Sequence, residues 1–191
     1  MLENDERDAV VEVLEVLRKA AHSGYIGEPV SQLTHALQCA HFAREAEASD
    51  ELVLAALLHD IGHLVAAPGA PQMAGLGVLG HEDLGARYLL DRGFSPKVAD
   101  LVRGHVQGKR YLTFKNPAYF RRLSDASRGT LEFQGGPMTE AEAREFEADP
   151  LFREKVQLRK LDELGKRTDL EVAPLESYRE MMARNISGGT G

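Results

Sequence analysis

The segment LAALLHDIGHLV, residues 54–65, constrains the fold of this chain more than any other. Its apolar residues occupy nearly every direction around a helix, which predicts one helix that is buried on most sides. Three polar residues interrupt it: His59, Asp60 and His63. In such a helix His59 and His63 share a face, and Asp60 is turned by about 100° from His59. A buried carboxylate beside a buried imidazole is costly unless the two pair or bind a metal.

Composition and charge describe an ordinary globular chain. It has 191 residues, 43% of them hydrophobic and 28% charged, and its formal net charge is −7. That charge argues against nucleic acid and anionic membranes as partners, so an anionic ligand would need locally concentrated positive charge. A single cysteine, Cys39, excludes an intramolecular disulfide and fits a reducing compartment. With no signal peptide and no apolar run that could span a membrane, we expect a soluble, cytoplasmic protein.

Helix signals recur along the chain, and no alternating strand pattern of useful length is present. We therefore predict one all-α domain over residues 1–191, with a flexible tail from about residue 187. A first helix has the apolar face Val10, Val13, Leu14, Leu17 and Ala21. Later helices are predicted to start at Ser31, Ser49, His81, Ser95, Thr139, Asp149 and Pro174. Residues 66–80 contain two prolines and four glycines, which predicts a long loop that lines a site.

The other histidines favour metal binding over a simple His–Asp hydrogen bond. His35, His81 and His105 fall on three different predicted helices, and Asp162 lies in the helix after Pro150. One histidine per helix around a central His–Asp pair is typical of bundle cores that hold metal ions. Imidazole and carboxylate suit iron, manganese and zinc alike, so the residues alone leave the metal open.

The order His35, His59-Asp60, Asp162 resembles the signature of HD-domain metalloproteins, and the inserted His81 and His105 match members that hold two metals. A closer resemblance is carried by six segments: SGYIGEPVSQLTHALQCAHFA, LLHDIGHL, GVLGHEDLGARYL, GFSPKVADLVRGHVQGKRYL, LSDASRGTLEFQGGPM and KRTDL. They resemble the PhnZ-like HD-domain mixed-valent di-iron oxygenases, phosphonate-cleaving relatives of myo-inositol oxygenase, over nearly the whole chain. The resemblance implies a helical HD-domain bundle.

The resemblance also implies cofactors and a reaction. One iron would be held by His35, His59, Asp60 and Asp162. The other would be held by Asp60, His81 and His105, so that Asp60 bridges the two irons. With O2 as co-substrate, 2-amino-1-hydroxyethylphosphonate would be oxidised at C1 and split into glycine and phosphate. A separate 2-aminoethylphosphonate hydroxylase would act upstream.

Further residues are assigned to the substrate by the same resemblance. His63, Lys109, Ser127 and Arg159 would contact the phosphonate. Tyr25 would guard the iron where O2 binds, and Glu28 would meet the substrate's primary ammonium, both moving aside as substrate arrives. A related group, the TmpB-type enzymes, acts on the trimethylammonium analogue to give glycine betaine, for which a carboxylate such as Glu28 has less to offer.

Plainer interpretations of these residues remain open at this point. Lys109 and Arg159 could be solvated or ion-paired, Ser127 could cap a helix, Tyr25 could be a packing residue and Glu28 an exposed acid. His63 could be a core histidine. Cys39 is expected to be a small core side chain, and His22 and His41 match no ligand position. Two rival functions are a metal-dependent HD phosphohydrolase that activates a bridging water, and a non-catalytic helical sensor with a structural metal.

Overall fold

The chain folds as a bundle of α-helices. A computed structural model describes residues 4–25 and 27–188. Its α-helices in chain order are α1 Asn4–Lys19, α2 Gln32–Glu45, α3 Asp50–Leu58, α4 Ile61–Val65, α5 His81–Leu90, α6 Pro96–Lys115, α7 Pro117–Arg122, α8 Asp125–Phe133, α9 Glu140–Glu147, α10 Phe152–Leu164 and α11 Arg179–Gly188. Within the described ranges, extended pairing is limited to two isolated bridges, Gly24 with Ser31 and Gln72 with Val78. The all-α prediction is therefore confirmed.

Most helix starts lie where the capping residues predict them. Ser31, Ser49 and Ser95 each accept a hydrogen bond from the backbone N–H three residues on, and Thr139 forms a capping box with Glu142. These bonds satisfy N–H groups that a helix start leaves unpaired. The capping chemistry of the sequence thus sets the starts of α2, α3 and α6, three of the helices that position the site.

Four local predictions need correction. Helix α10 begins at Phe152 rather than after Asp149, because the Asp149 side chain accepts a hydrogen bond from the Leu151 N–H in a preceding turn. A 3₁₀ turn, Leu175–Tyr178, separates Pro174 from α11. Ala21 is exposed, because the chain tightens into a 3₁₀ turn after Lys19 and buries Ala20 instead. Helix α11 continues to Gly188, and the rest of the predicted tail, residues 189–191, lies outside the described part.

Helix α6 is the central element of the bundle. It packs against α3, α5 and α10, while α2 packs against α3 and α10. Every residue from Leu52 to Leu58 in α3 is buried, as expected for a helix surrounded on most sides. In the part of the chain that the structure describes, none of the helices is both long and apolar enough to cross a membrane.

The segment 54–65 is not one helix, contrary to the prediction. Helix α3 ends at Leu58, His59 and Asp60 form a turn, and α4 starts at Ile61. The ring of His59 donates to the carbonyl of Ala56 at 2.9 Å, the acceptor that the Asp60 N–H would use in a continuous helix. The break turns Asp60 (φ −98°, ψ 7°) away from an ordinary helical position. It places the aspartate between the two halves of the site.

Candidate metal centre

Four histidines converge in the middle of the bundle as two pairs. His35 on α2 faces His59 in the turn after α3, with their Nε2 atoms 3.2 Å apart. His81 at the start of α5 faces His105 on α6, with their Nε2 atoms 3.1 Å apart. All four side chains are buried. Three helices and a turn thus bring imidazole nitrogens together far from bulk water.

The other ring nitrogen of each histidine fixes which atom carries the proton. Each Nδ1 lies against a backbone carbonyl, 2.7–3.2 Å away: His35 on Gly165, His59 on Ala56, His81 on Val78 and His105 on Val102. A carbonyl only accepts, so Nδ1 must donate and the neutral ring presents a lone pair at Nε2. Two such nitrogens repel each other unless a proton or a metal cation lies between them, and a cation there is bound by both. The pairing therefore fits metal ions.

The two carboxylate oxygens of Asp60 face different histidine pairs. Its Oδ2 lies 3.4 Å from His59 Nε2 and 3.8 Å from His35 Nε2. Its Oδ1 lies 3.5 Å from His81 Nε2 and 3.7 Å from His105 Nε2. One oxygen toward each histidine pair is the arrangement of a carboxylate that bridges two ions.

Asp162 on α10 adds a second carboxylate to the pair formed by His35 and His59. Its Oδ1 lies 3.4 Å from His35 Nε2 and 3.9 Å from His59 Nε2. That oxygen is buried and accepts no well-formed hydrogen bond from the described residues. A buried acceptor without a donor is costly, so Asp162 Oδ1 also fits a metal ion. All six predicted ligands are thereby brought together in the two predicted sets.

The charges of the cluster also call for a cation. Burial alone would raise the pKa of the Asp60 and Asp162 carboxyl groups, but neighbouring imidazoles hold the pKa of Asp60 well below its usual value, and the Arg159 guanidinium with two imidazoles does the same for Asp162. Burial lowers the pKa of His59, yet the adjacent carboxylates overcome this and raise it to about 9. The pKa of His105 falls to about 4 through burial and the neighbouring His59. A proton on His59 thus supplies positive charge when no metal is bound, and a metal ion that replaced it would find ionised carboxylates and imidazoles, a donor set for divalent first-row metals.

His63 lies next to this cluster but presents a proton instead of a lone pair. Its Nδ1 accepts a hydrogen bond from the Val78 N–H at 3.0 Å, so the neutral ring carries its proton on Nε2. That Nε2 lies 4.0 Å from Asp60 Oδ1, and the ring stacks on His81 with centroids 3.9 Å apart. Asp60, His63 and His81 are close enough to hold an ion, but a protonated Nε2 is a donor and not a ligand.

A cavity opens beside the cluster. Ten of the twelve predicted site residues line it, and the two others, His35 and His59, are buried ligands. Its wall also contains residues that the sequence analysis missed, among them Gln32, Thr130 and Gln134. Thr130 follows Ser127 by three residues on α8, so helical spacing could have indicated it. Two loops reach the cavity, because Tyr25 and Glu28 precede α2 and Met73 and Leu76 belong to the predicted loop 66–80.

Two buried cations lie on the wall of this cavity. Lys109 Nζ donates to Thr130 Oγ1 at 2.6 Å, and burial together with nearby Arg159 lowers the pKa of Lys109 to about 7. Arg159 donates through Nε to the Tyr119 hydroxyl at 2.7 Å and through its two other nitrogens to Asp162 and Glu163. Arg159 thus holds the candidate ligand Asp162 in place, and two of its five N–H groups remain for a ligand.

The residues expected at the far end of the substrate lie at one side of the cavity. The ring of Tyr25 stacks on His35, with centroids 4.0 Å apart and planes inclined by 13°. Glu28 pairs with Lys166, whose Nζ lies 3.0 Å from Glu28 Oε1 and 3.5 Å from Ser127 Oγ. Lys166 is the first residue of the segment KRTDL, and nothing in the sequence predicted a role for it. Only the fold shows that this lysine reaches a residue 138 positions earlier.

Cys39, His22 and His41 take no part in the cluster as ligands. The Cys39 sulfur lies 3.7 and 3.8 Å from the ring nitrogens of His35, and His35, Cys39 and His59 are close enough to hold an ion. However, burial raises the pKa of the Cys39 thiol well above its usual value, which keeps it protonated. Cys39 is fully buried in the core, as predicted. His22 is exposed, and His41 contacts Phe42.

Comparisons with known proteins agree with this geometry. The HD domain family matches residues 33–165. A 1-hydroxy-2-(trimethylamino)ethylphosphonate dioxygenase (glycine-betaine-forming) of Leisingera caerulea is 40% identical over 167 residues, 87% of this chain and 85% of the relative. A hydroxymethylphosphonate dioxygenase of Gimesia maris is 40% identical over 172 residues, which are 90% of this chain and 85% of the relative. An uncharacterized protein of Acanthamoeba polyphaga mimivirus is 38% identical over 179 residues, which are 93% of this chain and 82% of the relative. The chain belongs to the HD-domain family and, within it, to the group of HD-domain oxygenases that includes these two phosphonate dioxygenases.

Proposed function

We propose that this protein is an O2-dependent di-iron oxygenase that splits the carbon–phosphorus bond of a 1-hydroxyphosphonate and releases phosphate. The observation that carries the proposal is that the two Asp60 carboxylate oxygens face different histidine pairs, within each of which the Nε2 atoms face each other. The names of the two dioxygenase relatives support oxidation of a phosphonate as the reaction. A carbon–phosphorus bond has no hydrolysable oxygen bridge, so oxidation of the adjacent carbon is a suitable route.

Each histidine pair would hold one of the two metal ions. His35, His59 and Asp162 would hold one iron and His81 with His105 the other, with Asp60 shared. When bound, the irons would supply Lewis acidity and relay electrons from the substrate to O2. The protein fixes the imidazoles through their Nδ1 bonds to four carbonyls, so that the geometry is set before an ion binds.

The chain's own residues would bind and orient the phosphonate. Lys109 lies on the cavity wall as a buried ammonium, His63 offers an Nε2–H donor and Ser127 offers a hydroxyl. Arg159 would add its remaining N–H groups while it holds Asp162. Charge-assisted hydrogen bonds of this kind are stronger than neutral ones. These groups would place the phosphonate next to the cluster and direct C1 toward the two histidine pairs.

The other end of the substrate would lie at Tyr25 and Glu28. Tyr25 covers His35 and would be moved aside when the substrate enters. Glu28 is a carboxylate at the cavity wall and would accept hydrogen bonds from a primary ammonium. We therefore propose 2-amino-1-hydroxyethylphosphonate as the substrate, with glycine and phosphate as products and a separate 2-aminoethylphosphonate hydroxylase supplying the C1 hydroxyl. The trimethylammonium compound and hydroxymethylphosphonate, taken from the relatives' names, are the alternative substrates.

The test is phosphate release from the three 1-hydroxyphosphonates by iron-loaded protein, with and without O2. The proposal predicts release only in the presence of O2 and a mixed-valent di-iron signal in electron paramagnetic resonance. The primary amine should give the highest kcat/KM, and Glu28→Ala should remove that preference. Release at full rate without O2 and without iron would instead support the metal-dependent phosphohydrolase. Higher kcat/KM for either alternative substrate would contradict the substrate assignment and leave the oxygenase reaction intact.

A further inference from the structure

Lys166 lies between the residues that we place at opposite ends of the substrate. Its Nζ is 3.0 Å from Glu28 Oε1, the carboxylate proposed for the substrate ammonium. It is also 3.5 Å from Ser127 Oγ, a hydroxyl proposed for the phosphonate. The Lys166 and Glu28 side chains are only 15% and 11% exposed, so this ion pair is largely shielded from water. Glu163 lies 3.8 Å away, but its nearest oxygen already accepts from Arg159.

We propose that Lys166 is a residue that determines substrate specificity. Its ammonium pairs with Glu28, the carboxylate to which the substrate ammonium would bind. The inference rests on the proposed function and deepens it. An aminated phosphonate can pair with Glu28 only by displacing Lys166. Its amine therefore contributes to the binding free energy only the difference between the new Glu28–ammonium pair and the broken Glu28–Lys166 pair. A phosphonate without an amine leaves the Glu28–Lys166 pair intact. Lys166 therefore narrows the difference in affinity between the two kinds of substrate.

The backbone just before Lys166 is held against the metal centre. Gly165 ends α10, and its carbonyl accepts the Nδ1–H of His35 at 2.8 Å. A Cβ on Gly165 would lie 2.4 Å from the Cys39 sulfur, so this turn is packed closely against α2. The long lysine stem starts at a point held against the metal centre.

The probes are two unreactive phosphonates that differ only in an amine, 2-aminoethylphosphonate and ethylphosphonate. Their dissociation constants are measured by calorimetry on the anaerobic, iron-loaded protein. Lys166→Met should raise the preference for the amine about threefold to tenfold, the size of a partly exposed ion pair. Lys166→Gln, which keeps a donor without the charge, should act in the same direction. Lys160→Met, a change of an exposed lysine on α10, the helix that precedes Lys166, should leave the preference unchanged.

Glu28→Gln combined with Lys166→Met completes a double-mutant cycle and should abolish the preference for the amine. An unchanged ratio of the two dissociation constants in Lys166→Met and Lys166→Gln would overturn the inference. Weaker binding of both phosphonates by the same factor would also overturn it, because Lys166 would then act at the phosphonate end. Wild-type protein that binds neither phosphonate would overturn the proposed function together with the inference, whereas the first two results would leave the proposed function standing.

Discussion

The crossing of α4 over α5 is the contact on which the position of His81 depends most directly. A Cβ placed on Gly62 would lie 1.9 Å from the carbonyl oxygen of His81 and 2.9 Å from the backbone nitrogen of Gly85. Ordinary contacts begin near 3.4 Å, so Gly62→Ala must open the crossing by about 1.5 Å. Since Asp60 precedes Gly62 by two residues and His81 begins α5, the shift separates Asp60 Oδ1 from His81 Nε2, now 3.5 Å apart.

The expected cost has a stability part and a functional part. Overpacking costs about 1–3 kcal/mol, which corresponds to a melting temperature lower by about 3–10 °C for a chain of this size. Displacing a reactive group by about 1 Å costs on the order of 100-fold in rate. We therefore expect Gly62→Ala to retain the ion between His35 and His59, to lose most of the other and to reduce kcat/KM by about 100-fold.

The assay combines thermal melting, iron per chain after anaerobic reconstitution, and phosphate release in air. Gly24→Ala is the matched control, because a Cβ there meets no atom within 4 Å, and it should keep the wild-type iron content. If Gly62→Ala bound as much iron as the wild type and kept its kcat/KM, the argument that the α4–α5 crossing positions His81 would be refuted.

Three further predictions concern the phosphonate contacts and the metal. His63→Phe keeps a ring stacked on His81 but removes the Nε2 donor, so KM should rise about tenfold, while metal analysis should find unchanged iron; a loss of iron would make His63 a ligand. Lys109→Met should raise KM about 10-fold to 100-fold in steady-state kinetics, which is the value of a charged hydrogen bond. Lys115 is an exposed residue on the same helix, and a rise of similar size in Lys115→Met would point to a general charge effect. Chelation should lower the melting temperature by about 10 °C, since ions bound only to the native state stabilise it; an unchanged melting temperature would contradict tight binding.

The helices could be predicted from sequence because capping follows from local chemistry, whereas the candidate ligands were predicted from a family resemblance. Ser31, Ser49 and Ser95 are capping residues whose effect reaches only three positions along the chain. The order of the histidines and of Asp162 resembles that of HD-domain metalloproteins, and this resemblance grouped the six candidate ligands. In the structure, one carboxylate oxygen of Asp60 faces each histidine pair.

The remaining features depend on contacts between distant parts of the chain. Local propensity favours one helix through residues 54–65, but the His59 ring competes for the Ala56 carbonyl and breaks it. The proton position on His63 is set by the N–H of Val78, fifteen residues later. The partner of Glu28 is a lysine 138 residues away. No local pattern distinguishes Lys166 from the other lysines, because its role follows only from the packing of α10 against α2.

The central claim is that Asp60 bridges two metal ions, and iron content together with electron paramagnetic resonance tests it most directly. Protein reconstituted with iron under anaerobic conditions and then partly oxidised should contain two irons per chain and give the signal of a spin-coupled mixed-valent pair. Asp60→Asn, which keeps the shape of the side chain but loses its charge, should lose the coupled signal and bind less iron. One iron per chain in the wild type, or a coupled signal that survives in Asp60→Asn, would contradict the account.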